Sequence, residues 1–363
     1  MVVGAVVGVS GAWRGSGGVK VLVTGGSGFI GSFFIDHFRR TGTPYVIMDL
    51  VDPPFDTSGG SFIKGDIRDP AAVRRAMVGC DRVLHLAAAH HDFGIARDTY
   101  FSVNEIGSKV MCEELDRAGV RECCFYSTVA VYGDAPEPHF EDSEKRPNSP
   151  YGESKLAGER VFEAWTARGE GRRCLVIRPT VTFGPRNFAN MYSLIRQAAS
   201  GRYLEFGAGT NVKSLSYIEN IVDATLYLWG RAAGARAPFE VFNYIDKPDL
   251  TSAEITAAVC HSLGRKRPPR LPLWVGLALA LPFDAVIALT GRNLPISGAR
   301  VRKLFSTQTK FEADKVIAAG FKARVPLREG IDRMVKWYLA EGRAQQAVWH
   351  VPPAEVVIGT AEA

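Results

Sequence analysis

Apolar residues gather along the chain into short uninterrupted runs that alternate with stretches of helical spacing. VKVLVTGG, from Val19, is such a run and ends in glycines; FIGSFFIDHFRRTG then sets Ile30, Phe33, Phe34 and Phe38 at helical spacing before Gly42 stops it. PYVIMDL predicts a second strand ending in Asp49. DPAAVRRAMVGC predicts a helix with Asp69 as its cap and Pro70 at its first position, and DRVLHLAAA a third strand. The rhythm continues through a helix around FSVNEIGSKVMCEELDRAGV, a strand in ECCFYSTVAVYG, a helix in YGESKLAGERVFEAWTARG and a strand in RCLVIRPT. Continuous apolar strands alternating with helices predict an α/β fold with a doubly wound parallel sheet, covered by helices on both faces.

Beyond Thr180 the elements shorten and glycine, proline and aromatic residues increase. A first domain is therefore expected over residues 19–180, with FEVFNY near 239–244 returning to it as a further strand. A smaller, interleaved lobe follows over 181–340, and 341–363 reads as a poorly ordered tail. Residues 1–18 are apolar but carry no basic residue before the apolar run, so a disordered extension is expected rather than a signal peptide. The other greasy stretch, 271–291, is interrupted by Pro272, Pro282 and Asp284. It predicts a buried or surface-lying helix pair and no transmembrane segment. RKRPPR, from Arg265, directly precedes it, which leaves peripheral contact with an anionic membrane open.

Composition narrows the function classes. The 363 residues are 46% hydrophobic, as an ordinary globular core requires. The formal charge of +6 permits anionic ligands, yet acidic and basic residues mix throughout and RKRPPR is the one basic cluster, so a nucleic-acid partner is not expected. Six cysteines occur without a C-x-x-C pair, which argues against a disulfide framework or a zinc site and for a reducing, cytoplasmic setting. His90 and His91 fall at the mouth of the expected crevice, but no further ligands accompany them and no metal site is indicated.

TGGSGFIG, at the first strand-to-helix turn, carries the first chemical signal. A helix N-terminus holds unpaired N–H groups and a partial positive charge, so a phosphate docks there only if no side chain intervenes. Gly25 lets the strand turn, Gly28 admits a pyrophosphate close to the backbone, and Gly31 lets the helix pack on the sheet. Asp49 follows Gly31 by eighteen residues, at the end of the next strand. There a carboxylate accepts from ribose hydroxyls and repels a 2′-phosphate, so NAD is expected over NADP.

YGESK carries the second. Tyr151 and Lys155, four residues apart, are neighbours on one helix face. A phenol titrating near 10 must fall by about three units to act as a base near pH 7, roughly 4 kcal/mol. An ammonium ~4 Å away at an effective dielectric near 20 contributes energy of that order. Thr128, after an apolar strand, sits at the carboxyl edge of the sheet, where a hydroxyl can bond a substrate oxygen; it also suits a plain strand terminator.

Together TGGSGFIG, GDIRD, HLAAA, STVAVYG and YGESK resemble the extended short-chain dehydrogenase/reductase family, in its NAD-dependent epimerase/dehydratase branch, from about Val19 to Tyr338. The resemblance implies a Rossmann-type sheet and a substrate lobe. It implies a cofactor site at Gly25, Gly28, Phe29, Ile30, Gly31 and Asp49, with Asp66 and Ile67 beside adenine and Leu86, Ala87 and Ala88 along the pyrophosphate and ribose; Tyr151 and Lys155 belong to it too. Thr128, Tyr151 and Lys155 become the catalytic group, and a homodimer through the helices at 102–118 and 151–167 is expected.

In sugar-nucleotide epimerases of this kind, the tyrosine removes a hydroxyl proton while hydride passes from the sugar C4 to NAD and returns to the other face. Dehydratases place Asp and Glu directly after the threonine; Val129 and Ala130 stand there and cannot move a proton. The resemblance assigns Asn190, Arg202 and Lys213 to a nucleoside diphosphate-sugar substrate, lysine standing where the family commonly has arginine. HLAAAHHDFG, NYIDKPDLT and LTGRNLPIS resemble epimerases of bacterial surface polysaccharide synthesis. Val181, in place of a common asparagine, and the greasy 271–291 stretch also suit a net oxidoreductase, either a 4-ketosugar reductase or a 3β-hydroxysteroid dehydrogenase-like enzyme. A dinucleotide-binding protein without catalysis is the third alternative.

Overall fold

The computed structural model describes residues 18–90, 95–201, 203–290, 297–305 and 307–345. In chain order the first half runs β1 Val21–Thr24, α1 Phe29–Thr41, β2 Tyr45–Asp49, β3 Gly60–Lys64, α2 Pro70–Met77, β4 Arg82–His85, α3 Arg97–Phe101, α4 Gly107–Ala118, β5 Glu122–Tyr126, α5 Pro150–Ala167 and β6 Arg173–Pro179. The second half runs β7 Val181–Phe183, α6 Asn190–Ser200, β8 Glu205–Phe206, β9 Val212–Lys213, β10 Leu215–Tyr217, α7 Ile218–Trp229, β11 Phe239–Tyr244, β12 Leu250–Thr251, α8 Ser252–Ser262, β13 Arg270–Leu271, α9 Leu273–Thr290, α10 Gly298–Phe305, α11 Asp314–Ala318 and α12 Leu327–Ala340.

Seven parallel strands form the central sheet in the order β11-β6-β5-β4-β1-β2-β3. β1 is buried along its whole length, as a strand covered on both faces must be. The order reverses between β1 and β4. Ligands of doubly wound sheets bind in the crevice beyond the strand ends at such a switch point. β11 pairs with β6 from Phe239↔Cys174 to Tyr244↔Pro179, so the second half of the chain contributes an edge of the first sheet. Phe34, Ile35 and Phe38 of α1 are fully buried in the main core, and Ile331, Met334 and Val335 of α12 join the same core.

Three elements depart from the expected pattern. β3 is an additional edge strand; its GSFIK sequence is mostly exposed and lacks the apolar run that marks its neighbours. The helix expected from Phe101 starts at Arg97 and passes through a π-helical turn, Ser102–Ile106, before α4. The 271–291 stretch forms one helix, not a buried or surface-lying pair. Pro282 lies inside α9, where it removes one backbone donor without ending the helix. By length and composition α9 would also suffice to cross a membrane, although only 11% of it is buried in the protein.

The N-terminal extension to residue 17, His91, Arg202 and the tail from 346 fall outside the described residues. All six cysteines are free and buried.

Candidate active site

A crevice of about 340 Å³ opens over the carboxyl ends of β1 and β4. Gly25 turns the chain out of β1 with φ +68°, and a Cβ there would stand 2.6 Å from the Ala87 nitrogen. No other residue type meets both conditions. Gly28 is the N-cap of α1 and has no side chain to occupy the first-turn N–H groups. A Cβ on Gly31 would lie 2.5 Å from the Gly26 carbonyl oxygen, so α1 rests directly on the turn that precedes it.

Phe29, Ile30, Ile67, Leu86, Ala87 and Ala88 line the same crevice. Asp49 closes β2 and lines it as well. Its Oδ2 accepts from the Ser27 amide at 3.0 Å and its Oδ1 from the Leu50 amide at 2.7 Å. Burial raises the Asp49 pKa, and these backbone donors oppose the rise. Asp66 also faces the crevice, clamped by the Arg68 guanidinium at 2.9 and 2.6 Å. Its carboxylate is thereby fixed in place before any ligand arrives.

Lys155 defines the opposite wall. Ser149 caps α5 by accepting from the Gly152 amide at 3.2 Å, and Pro150 occupies the first turn, so Tyr151 and Lys155 follow on successive turns. Both line the crevice. Lys155 is 1% exposed, its Nζ stands 4.1 Å over the Phe125 ring, and it has no hydrogen-bond partner among the described residues. Burial lowers its pKa to about 7, against a smaller upward pull from Glu159. Glu159 itself is held in a bidentate pair by Arg178 at 2.8 and 2.6 Å, and Arg178 also donates to the Tyr132 hydroxyl at 2.7 Å. This buried network ties α5 to β6.

A sequence profile of the NAD dependent epimerase/dehydratase family matches residues 21–243, which contain every wall of the crevice described so far. The chain belongs to this family. An N-acetyl-alpha-D-glucosaminyl-diphospho-ditrans,octacis-undecaprenol 4-epimerase of Escherichia coli O157:H7 is 36% identical, over 88% of this chain and 95% of the relative. A dTDP-glucose 4,6-dehydratase of Streptomyces niveus is 27% identical, over 91% and 95%. Among solved structures, MoeE5 in complex with UDP-glucuronic acid and NAD aligns with a TM-score of 0.68 at 25% identity, covering 88% of this chain and 99% of that one.

The crevice of this epimerase/dehydratase family member fits NAD on its own terms. An open helix N-terminus and glycines that bar a Cβ suit a pyrophosphate, Asp49 suits ribose hydroxyls, and an unpartnered buried ammonium calls for an acceptor.

The remaining predicted residues lie further out. Thr128 is buried next to the crevice wall formed by Tyr126 and Ser127; its Oγ1 accepts from the Ala130 amide at 3.1 Å, which leaves the O–H free to donate. The expected strand ends at Tyr126, and Thr128 caps a short 3-10 turn, Val129–Val131. Asn190 is exposed at the start of α6. Lys213 sits on β9 with its Nζ donating to the Thr307 carbonyl at 2.6 Å. Neither belongs to the crevice lining; Arg186, Asn187 and Phe188 occupy that side instead.

Sequence reasoning passed over those three, although the Gly184-Pro185 punctuation after β7 marks the loop that carries them. It also passed over Ser127, whose buried hydroxyl has no partner among the described residues. Asn104, in the π-helical turn, is a further omission. Its Oδ1 accepts from the Ala89 amide at 2.9 Å, and its Nδ2 donates to the Ala89 carbonyl at 3.0 Å and to Ser154 Oγ at 2.9 Å. It therefore fastens the loop after β4 to the helix of Tyr151 and Lys155. Displaced registers of this kind often mark functional positions.

Proposed function

We propose that the protein is an NAD-dependent 4-epimerase of a sugar carried on a diphosphate, in the synthesis of bacterial surface polysaccharide. The observation that carries this reading is the buried Lys155 ammonium, unpartnered among the described residues and one turn from Tyr151 in a glycine-lined crevice. Tyr151 takes the proton of the sugar hydroxyl and later returns it. Lys155 holds positive charge beside the phenol, and ionisation of the phenol in turn favours the ammonium against burial. Thr128 donates to the substrate oxygen. NAD, when bound, accepts a hydride from the sugar carbon and gives it back, so the transient 4-keto sugar is reduced on its other face. Val129 and Ala130 follow Thr128 and offer no proton-transfer group, which argues against elimination of water.

A nucleoside diphosphate is the primary carrier, as the UDP-sugar complex of the structural neighbour suggests. A polyprenyl diphosphate is the second reading, supported by the undecaprenyl diphosphate substrate for which the E. coli O157:H7 relative is named. Asn190, Arg202 and Lys213 are proposed on the substrate side, Lys213 through movement of its ammonium from the Thr307 carbonyl. A cytoplasmic location is supported by six free cysteines, and a homodimer through the helices at 102–118 and 151–167 by the exposed Ile106; equilibrium sedimentation checks the latter.

The test is direct. Purified protein, denatured, is expected to release NAD, and the native protein to interconvert UDP-N-acetylglucosamine, or its undecaprenyl diphosphate counterpart, with the 4-epimer. Absence of turnover on both carriers ends the proposal. Stoichiometric accumulation of free NADH during turnover selects the net oxidoreductase instead.

A further inference from the structure

Outside the crevice lining, α9 presents an apolar surface that its own protein leaves uncovered. Gly276 and Ala280 are its buried residues, and a Cβ on Gly276 would stand 2.8 Å from the Phe206 ring. One turn further on, both carboxylate oxygens of Asp284 accept from the Gly298 amide, at 3.0 and 3.1 Å. Residues spaced by four share one helix face, so positions 276, 280 and 284 form the stripe by which α9 is fastened to β8 and α10. The only charged side chain in the helix is thereby turned to the protein.

At about 100° per residue, Leu289 falls opposite the middle of that stripe, Trp274 and Leu281 lie roughly 100–120° round from it on one flank, and Leu279 roughly 100° round on the other. Trp274, Leu279, Leu281 and Leu289 are 69%, 57%, 63% and 86% exposed. So many large apolar side chains left bare on one helix suggest contact with another phase or partner.

Charge supplies the choice of partner. Arg265, Lys266 and Arg267 are exposed and make no ion pair among the described residues. Only five residues separate Arg267 from Leu273 at the start of α9, a reach of at most about 22 Å. Arg302, exposed on α10, adds a further cation beside the helix. Cations flanking an uncharged apolar helix face, with a tryptophan near one end, match the headgroup region of an anionic bilayer. A protein partner would gain nothing from a flank of one sign unless it were acidic.

The fastened stripe also decides between crossing and lying flat. Although its eighteen residues, about 27 Å, would suffice by length, α9 cannot enter the bilayer end-on while 276, 280 and 284 remain packed.

We infer that α9 and the basic segment before it form a membrane-docking surface, which lies along an anionic lipid bilayer with Leu281 and Leu289 inserted. The inference does not depend on the reaction proposed above, since it concerns a surface outside the crevice.

The experiment uses full-length, NAD-loaded protein and flotation with vesicles of phosphatidylcholine alone or with a third phosphatidylglycerol. Binding at least tenfold stronger to the anionic vesicles, weakened by added salt, is expected. Leu281→Glu/Leu289→Glu should lower it at least tenfold while melting temperature and NAD binding stay as in the wild type. Trp274→Phe should remove the blue shift of tryptophan emission on vesicle addition. Failure of the wild type to float, or undiminished flotation of the double variant, overturns the inference. So does a wild-type dimer that ignores vesicles and dissociates in the double variant, because a second copy then covers the helix. Turnover of a soluble nucleotide sugar, measured in parallel, reports separately on the epimerase reading.

Discussion

The crevice and α9 are opposite solutions to contact with something outside the chain. In the crevice, polar groups are buried ahead of their partner: the Lys155 ammonium at 1% exposure and the Ser127 hydroxyl both lack hydrogen bonds among the described residues. On α9, apolar groups are exposed, Leu289 to 86%. Each arrangement sacrifices stability in the isolated protein, the first through desolvation and the second through unclaimed burial of roughly 1.5–3 kcal/mol per large side chain. The sign of the mismatch identifies the partner. Unsatisfied polar atoms in a concave wall call for a small polar ligand, and bare apolar side chains along an exposed helix call for an extended apolar phase.

The largest effect should come from the reacting end of the crevice. Tyr151→Phe keeps the ring that packs near Tyr100 and removes the hydroxyl. Loss of a positioned acid–base group costs ~10²–10⁴-fold in rate, so kcat should fall by about that factor while NAD binding stays within a few-fold. Steady-state epimerisation and a cofactor titration measure the two. Activity close to wild type would remove Tyr151 from the chemistry.

Next in size is the network that holds α5. Glu159→Gln leaves Arg178 buried without its countercharge, and breaking a buried pair from one side costs about 3–5 kcal/mol. Urea denaturation should register that loss in full. No comparable penalty attaches to exposed pairs such as Lys64–Asp52, and equal costs at both sites would show that burial is not what makes the α5 network matter.

Lys155 itself connects charge to stability. Its pKa is lowered from 10.5 to about 7 by burial. Between those two values the unfolded chain binds more protons than the folded one, so the cofactor-free protein gains stability as pH rises from 7 toward 10.5, by at most about 1.4 kcal/mol per unit. Below about pH 7 the destabilisation is fully present. Lys155→Met should therefore be inactive yet more stable than wild type near pH 7, by roughly 2–4 kcal/mol, with the gap closing at higher pH. Urea midpoints at pH 7 and pH 9.5 test it; a gap that does not change with pH would mean that Lys155 does not titrate in this window.

These contrasts follow how much the sequence disclosed. The glycine turn was legible because Gly25, Gly28 and Gly31 recur at a fixed interval between an apolar run and a helix, and Tyr151 and Lys155 because four residues make one face. The isolation of the Lys155 nitrogen was not, since it depends on Phe125 of β5 and on Glu159 being occupied by Arg178. Asn104 was hidden for the same reason: its three bonds reach Ala89 and Ser154, fifteen and fifty residues away. Thr128 and Lys213 illustrate a different limit. Motif position gave their place in the chain, but the 3-10 turn engages the Thr128 hydroxyl, and the Lys213 ammonium donates to the Thr307 carbonyl, 94 residues further on. β3 escaped notice because an edge strand needs no apolar run. Hydropathy found α9 without indicating whether protein or another phase covers it.

The smallest expected effect gives the sharpest comparison. Phe38 and Leu289 are both large apolar residues on helices, and composition treats them alike. Phe38 is fully buried, so Phe38→Ala removes its transfer energy and leaves a cavity, together about 3–5 kcal/mol. Leu289 is 86% exposed in the isolated protein, so Leu289→Ser removes almost nothing that folding had buried and should change stability by less than ~0.5 kcal/mol. Thermal unfolding in detergent-free buffer should thus separate the two variants by several degrees. A Leu289→Ser loss approaching that of Phe38→Ala would mean that α9 is covered in solution, and the opposition between a ligand-starved crevice and a phase-starved helix would no longer hold.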